Sequence, residues 1–84
     1  MTTIDLKITK RTLELVNRLY NREHIPISSE TSFCEDLNLD GRDINMLIMD
    51  IEDLFSLSIP NEKIPYLPSV GSVIDYVNEI KQQC

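Results

Sequence analysis

Apolar residues recur at helical spacing in three stretches of the chain. Between about residues 5 and 21, Leu6, Leu13, Val16, Leu19 and Tyr20 form one stripe. Pro26 cannot continue that helix, so "REHIPISSETS" is predicted to be a long loop. The second stretch is the most regular: Ile44, Leu47, Ile48, Ile51 and Phe55 share one face. Asp40 can cap its start, because a carboxylate there accepts from the free N–H groups of the first turn. Asp43 adds negative charge where the helix dipole favours it. The helix is predicted to end before "SLSIP", where Pro60 intervenes. The third stretch starts near Ser69, its N-cap candidate, and aligns Val70, Val73, Ile74, Val77 and Ile80. Between the last two, "NEKIPYLPS" has room for one helical turn before Pro65. No alternating run is long enough for a strand. The pattern therefore predicts an all-α protein, three main amphipathic helices plus one short helix in a small bundle.

A chain of 84 residues predicts a single domain, 1–84, with a thin core. Chains of this size bury only about 60% of the surface that they expose when unfolded. No apolar run approaches the ~20 residues of a membrane-spanning helix, and "MTTIDLKITKR" lacks the apolar segment of a signal peptide. A cytoplasmic protein without a membrane span is expected. The net charge of −6 argues against nucleic acid, whose phosphates would repel it. It suits docking on a basic surface. Cys34 and Cys84 are expected to be free thiols, and His24 is the single histidine, so a zinc site is not expected.

The stretch "DLNLDGRD" invites two readings. Asp36, Asn38, Asp40 and Gly41 match the first half of a calcium loop spanning 36–47. The second half fails: Asp43 stands where an apolar residue belongs, and Leu47 where the closing bidentate acid belongs. Leu37 and Leu39 look like core anchors. Calcium is thus the third-ranked reading, and no metal site is expected.

From Ser32 onward the sequence resembles an acyl carrier protein, without gaps, for about forty residues. The family pattern is Phe-x-x-Asp-Leu-Gly-x-Asp-Ser-Leu-Asp, an amphipathic helix ending in Leu-Glu-x-x-Phe, then x-x-x-Ile-Pro. Here it stands as "FCEDLNLDGRD", "INMLIMDIEDLF" and "SLSIP". Phe33, Asp36, Leu37, Asp40, Asp43, Leu47, Met49, Glu52, Phe55, Ile59 and Pro60 occupy matching positions. "SVGSVIDYV" is similar to the family's last helix, and the first helix is compatible in a general way. The resemblance implies an acyl-carrier-like four-helix bundle. It also implies a serine at the start of the second helix, esterified to a 4'-phosphopantetheine arm whose thiol holds an acyl group.

In this chain the serine position is Gly41, which offers no hydroxyl. Arg42 stands where leucine is usual, Asn45 where an apolar residue is usual, and Met46 where glutamate is usual. Ser56, Ser58, Ser69 and Ser72 are expected to be cap and loop residues, and Cys34 a partly buried, inert thiol. The resulting expectation is a non-catalytic carrier-like protein with no cofactor. It would dock or regulate through its acidic second helix, by way of Asp43, Met46, Asp50, Glu52 and Asp53, with Asp36 and Asp40 just ahead. Met49 is a further candidate for an exposed apolar contact. The expected partner is a basic protein surface, an acyl-chain-processing enzyme among the candidates, and the chain is expected to be monomeric. The alternative is a genuine acyl carrier in fatty-acid or polyketide-type synthesis, bearing 4'-phosphopantetheine at another residue or altered at the site. Arg42 fits neither account, since the helix dipole disfavours a cation there.

Overall fold

The structure, a computed structural model, describes residues 6–82. Three α-helices carry the periodic stretches: α1 Leu6–Tyr20, α2 Gly41–Phe55 and α3 Val70–Gln82, with a 3-10 helix at Asn61–Tyr66 between the last two. No strand forms among the described residues; Ser32 and Ser69 make an isolated antiparallel bridge. Among the described residues no helix is long and apolar enough to cross a membrane.

The predicted faces of α2 and α3 are the buried ones, except that Ile44 and Ile80 are only partly buried. Leu47, Ile48, Ile51 and Phe55 of α2 and Val70, Val73, Ile74 and Val77 of α3 belong to one core. The buried face of α1 differs from the predicted stripe. Ile8, Thr12, Leu15, Val16 and Tyr20 turn inward, whereas Leu6 and Leu19 are exposed. The physical reason is Thr12. Its hydroxyl donates to the Ile8 carbonyl at 2.7 Å, so a polar residue can sit in the buried stripe without an unmet bond. α1 packs mainly on α3 and also touches α2.

The segment between α1 and α2 is part of the core. Phe33, Leu37 and Leu39 are buried within it, and enclosing a phenylalanine of this kind contributes roughly 1.5–3 kcal/mol. Backbone bonds fasten the loop to the start of α3: Phe33 N–H to the Pro68 carbonyl at 3.0 Å, Val70 N–H to Thr31 at 3.0 Å, and Gly71 N–H to Ser29 at 2.7 Å. The approach at Gly71 leaves no room for a side chain, since a Cβ would come within 2.6 Å of the Ser29 oxygen. Ser69 caps α3 as predicted, its hydroxyl accepting from the Ser72 N–H at 3.3 Å.

The short helix runs further than the sequence suggested, through Pro65 to Tyr66. Proline removes one donor, but a 3-10 turn can close on either side of it. Lys63 N–H donates to Pro60 at 2.9 Å and Leu67 N–H to Ile64 at 3.0 Å.

Candidate functional site

The residues singled out from the sequence gather at the start and outer side of α2. Asp40 is extended, and its carboxylate accepts from the Asp43 N–H at 2.9 Å. Asp43 reaches back to the Asp40 N–H at 3.5 Å, which completes a capping box. Arg22, from the loop after α1, grips Asp43 with two N–H groups at 3.0 and 3.2 Å. These bonds, opposed by partial desolvation, hold the Asp43 carboxyl below the ordinary aspartate range.

Asn38 adopts a left-handed backbone, φ 55. It occupies the position at which the family pattern has glycine, and asparagine tolerates this region better than most residues. Its amide donates to Glu23 at 3.2 Å. Leu37 and Leu39 on either side are buried, so the turn is pinned from within. Asp36 accepts from the Ser32 N–H at 2.7 Å. The three side chains that open the calcium pattern are therefore each bonded to a protein group. Among the described residues no three His, Cys, Asp or Glu side chains converge as a metal site would require.

Gly41 opens α2 and is exposed. A Cβ there would meet nothing within 4 Å, so the backbone has no need of glycine at this point. Arg42 follows, exposed and without a hydrogen bond or ion pair among the described residues. Ser56 is the left-handed C-cap of α2, φ 53. The Ser69 and Ser72 hydroxyls bond to each other at 2.9 Å. Cys34 is a free thiol, but it is exposed rather than partly buried. It lies in the turn whose Asp36 and Leu37 N–H groups close on the Ser32 carbonyl, and that turn directs Phe33 inward and Cys34 outward. Cys84 lies outside the described residues.

Along the outer side of α2 the acids have different surroundings. Asp50 accepts the Tyr20 hydroxyl at 2.5 Å. Burial first, and then this carboxylate, push the Tyr20 phenol well above its ordinary value. Glu52 accepts from the Ile59 N–H at 2.7 Å, tying the chain after α2 back to the helix. Asp53 is exposed and makes no such bond among the described residues. Met46 and Met49 are 53% and 62% exposed. Beside Met49 an open groove runs between α2 and the 3-10 helix, lined by Asn45, Ile48, Met49, Glu52, Ile64 and Pro65 among others. Sequence reasoning missed Tyr20 and Arg22 as partners of these acids. No local signal marks them, since they lie 30 and 21 residues away from Asp50 and Asp43.

No family model matches the chain. Curated relatives do. The chain is similar to the acyl carrier protein of Porphyromonas gingivalis, 33% identical over 73 residues that cover 87% of this chain and 94% of the relative. It is similar to the acyl carrier proteins of Rickettsia canadensis and Rickettsia prowazekii, 33% identical over 79 residues, 94% of this chain and 91% of each relative. The chain belongs to the acyl carrier protein family.

Family membership corrects the expectation that no cofactor is involved. The relatives above are acyl carrier proteins, and the 4'-phosphopantetheine arm that the resemblance implied comes with that family. Gly41 itself does not fit the group. The space above it is open, but glycine carries no oxygen that could be esterified.

Proposed function

We propose that this acyl-carrier-family chain is a non-catalytic protein that works by docking the outer side of α2 on an acyl-chain-processing enzyme with a basic surface. The observation that carries the reading is the exposure of Met46 and Met49 on a helix whose opposite face is fully committed to the core. Exposed methionines suit an adaptable apolar contact. The surrounding acids steer a basic partner into register more than they add affinity. Asp53, with Asp36 and Asp40 ahead of the helix, supplies exposed negative charge at the rim.

A competition assay tests it. A promiscuous phosphopantetheinyl transferase loads a standard acyl carrier protein in the presence of excess native chain. Docking predicts slower loading, and relief of the inhibition by Asp53→Lys. An unchanged loading rate at every excess would sink the reading.

Family membership favours a second reading beside this one, a carrier scaffold that accepts the arm at a residue other than Gly41. Intact mass after incubation with coenzyme A and the transferase reads it directly, on the native chain beside Gly41→Ser. A gain by the native chain locates attachment at another residue, which peptide mapping then identifies. A gain by the variant alone makes Gly41 the sole interruption.

A further inference from the structure

Four acids and one cation lie along α2, and the fold treats them unequally. Asp43 is neutralised by Arg22, whose guanidinium lies against it on the surface. Asp50 is half-buried and holds the Tyr20 hydroxyl. Glu52 holds the Ile59 N–H. Each of the three already accepts a bond that fastens one segment of the chain to another. Asp53 alone among them is exposed with no such bond among the described residues.

Arg42 is the cation, and it stands against its local preference, in the first turn where the helix dipole repels positive charge. The acids nearest in sequence do not answer it. Asp40 is turned to the Asp43 N–H, Asp36 to the Ser32 N–H, and Asp43 to Arg22. Arg42, Met46, Met49 and Asp53 follow one another at steps of four, three and four residues, so they form one stripe along the outside of the helix. At 1.5 Å per residue the stripe is about 16 Å long. It reads cation, apolar, apolar, anion.

We infer that the partner matches this stripe with a mixed pattern of its own: an acidic group opposite Arg42, an apolar contact for Met46 and Met49, and a basic group opposite Asp53. The inference rests on the docking reading above and narrows it, because a uniformly basic partner would bring like charge onto Arg42. Juxtaposed like charges exclude wrong partners as effectively as opposite charges attract right ones. Arg42 is then a specificity determinant, and its unfavourable place in the helix has a use.

Two synthetic helical peptides with the same leucine centre provide the test. One carries glutamates at one end and lysines at the other; its companion carries lysines at both ends. Each is titrated into isotope-labelled native chain and into Arg42→Glu, and backbone amide shifts report both the site and the affinity. The native chain should bind the mixed peptide about threefold more tightly than the basic one, the scale of an exposed charge pair. Arg42→Glu, whose side chain is exposed and whose fold circular dichroism checks, should reverse the order. Shifts should concentrate at residues 42, 46, 49 and 53. Equal affinities, or an order that Arg42→Glu does not change, would overturn the inference. A native chain that prefers the basic peptide at α2 also overturns it, while leaving the simpler acidic docking reading in place. If neither peptide shifts α2, both fall together.

Discussion

Arg22 and Asp43, 21 residues apart, meet in a two-pronged ion pair that anchors the end of α1 to the start of α2. Asp43 is also a partner of Asp40 in the capping box, so one carboxylate serves one local and one long-range purpose. Its carboxyl titrates below the ordinary aspartate range, mainly because of the Arg22 hydrogen bonds. A folded-state pKa lower than the unfolded one contributes stability that is present above the unfolded value, about 3.9, and is lost as pH falls through the folded one. Arg22→Ala should therefore be less stable than the native chain at neutral pH. The gap should close as acid protonates Asp43, and urea melts of both proteins between neutral and strongly acid pH will show whether it does.

Tyr20 and Asp50 give the opposite dependence. The phenol is raised by burial and by the carboxylate that it donates to. A raised folded pKa contributes stability that is full below the unfolded value, about 10, and is lost as pH rises through the folded one. The native chain should thus lose stability above about pH 10 more steeply than Tyr20→Phe. At neutral pH the variant should be about 1–2 kcal/mol less stable, because the half-buried Asp50 loses its donor. Alkaline and neutral denaturant titrations check both halves.

The two glycines should respond to alanine with opposite signs. At Gly71 a methyl group would fall 2.6 Å from the backbone oxygen of Ser29, and only movement of the loop can relieve it. Gly71→Ala should cost about 1–3 kcal/mol. Gly41 has open space above it, ordinary helical backbone and the greater chain entropy of glycine to lose on folding. Gly41→Ala should gain about 0.5 kcal/mol. Thermal melts of the two variants side by side settle the comparison.

Arg42→Glu should raise thermal stability slightly, by about 0.3–1 kcal/mol at low salt, since it exchanges a cation for an anion at a helix N-terminus. Strong salt should erase the gain. A stabilising variant that loses the preference for the mixed peptide would separate the binding role of Arg42 from any structural one.

How far each element could be read from the chain depended on the distance over which its causes act. Helix α2 was legible almost to the residue, because its cap, its dipole charge and its apolar face all lie within one short segment. The same holds for α3 and its Ser69 cap. The motif around Phe33, Asp36 and Asp40 carried the family, and Leu37 and Leu39 showed as anchors because apolar residues in a polar loop need somewhere to go. The inward face of α1 was not legible, since Thr12 reads as polar until its hydroxyl is seen to bond within the helix. Nor was the exposure of Cys34, which a turn of the loop decides. Composition and local periodicity determine which segments become helices and what a first turn can offer. Which acids of α2 are bonded within the bundle was decided only when it closed, because Arg22 and Tyr20 reach Asp43 and Asp50 across the fold. Local pattern cannot record contacts that chain closure creates.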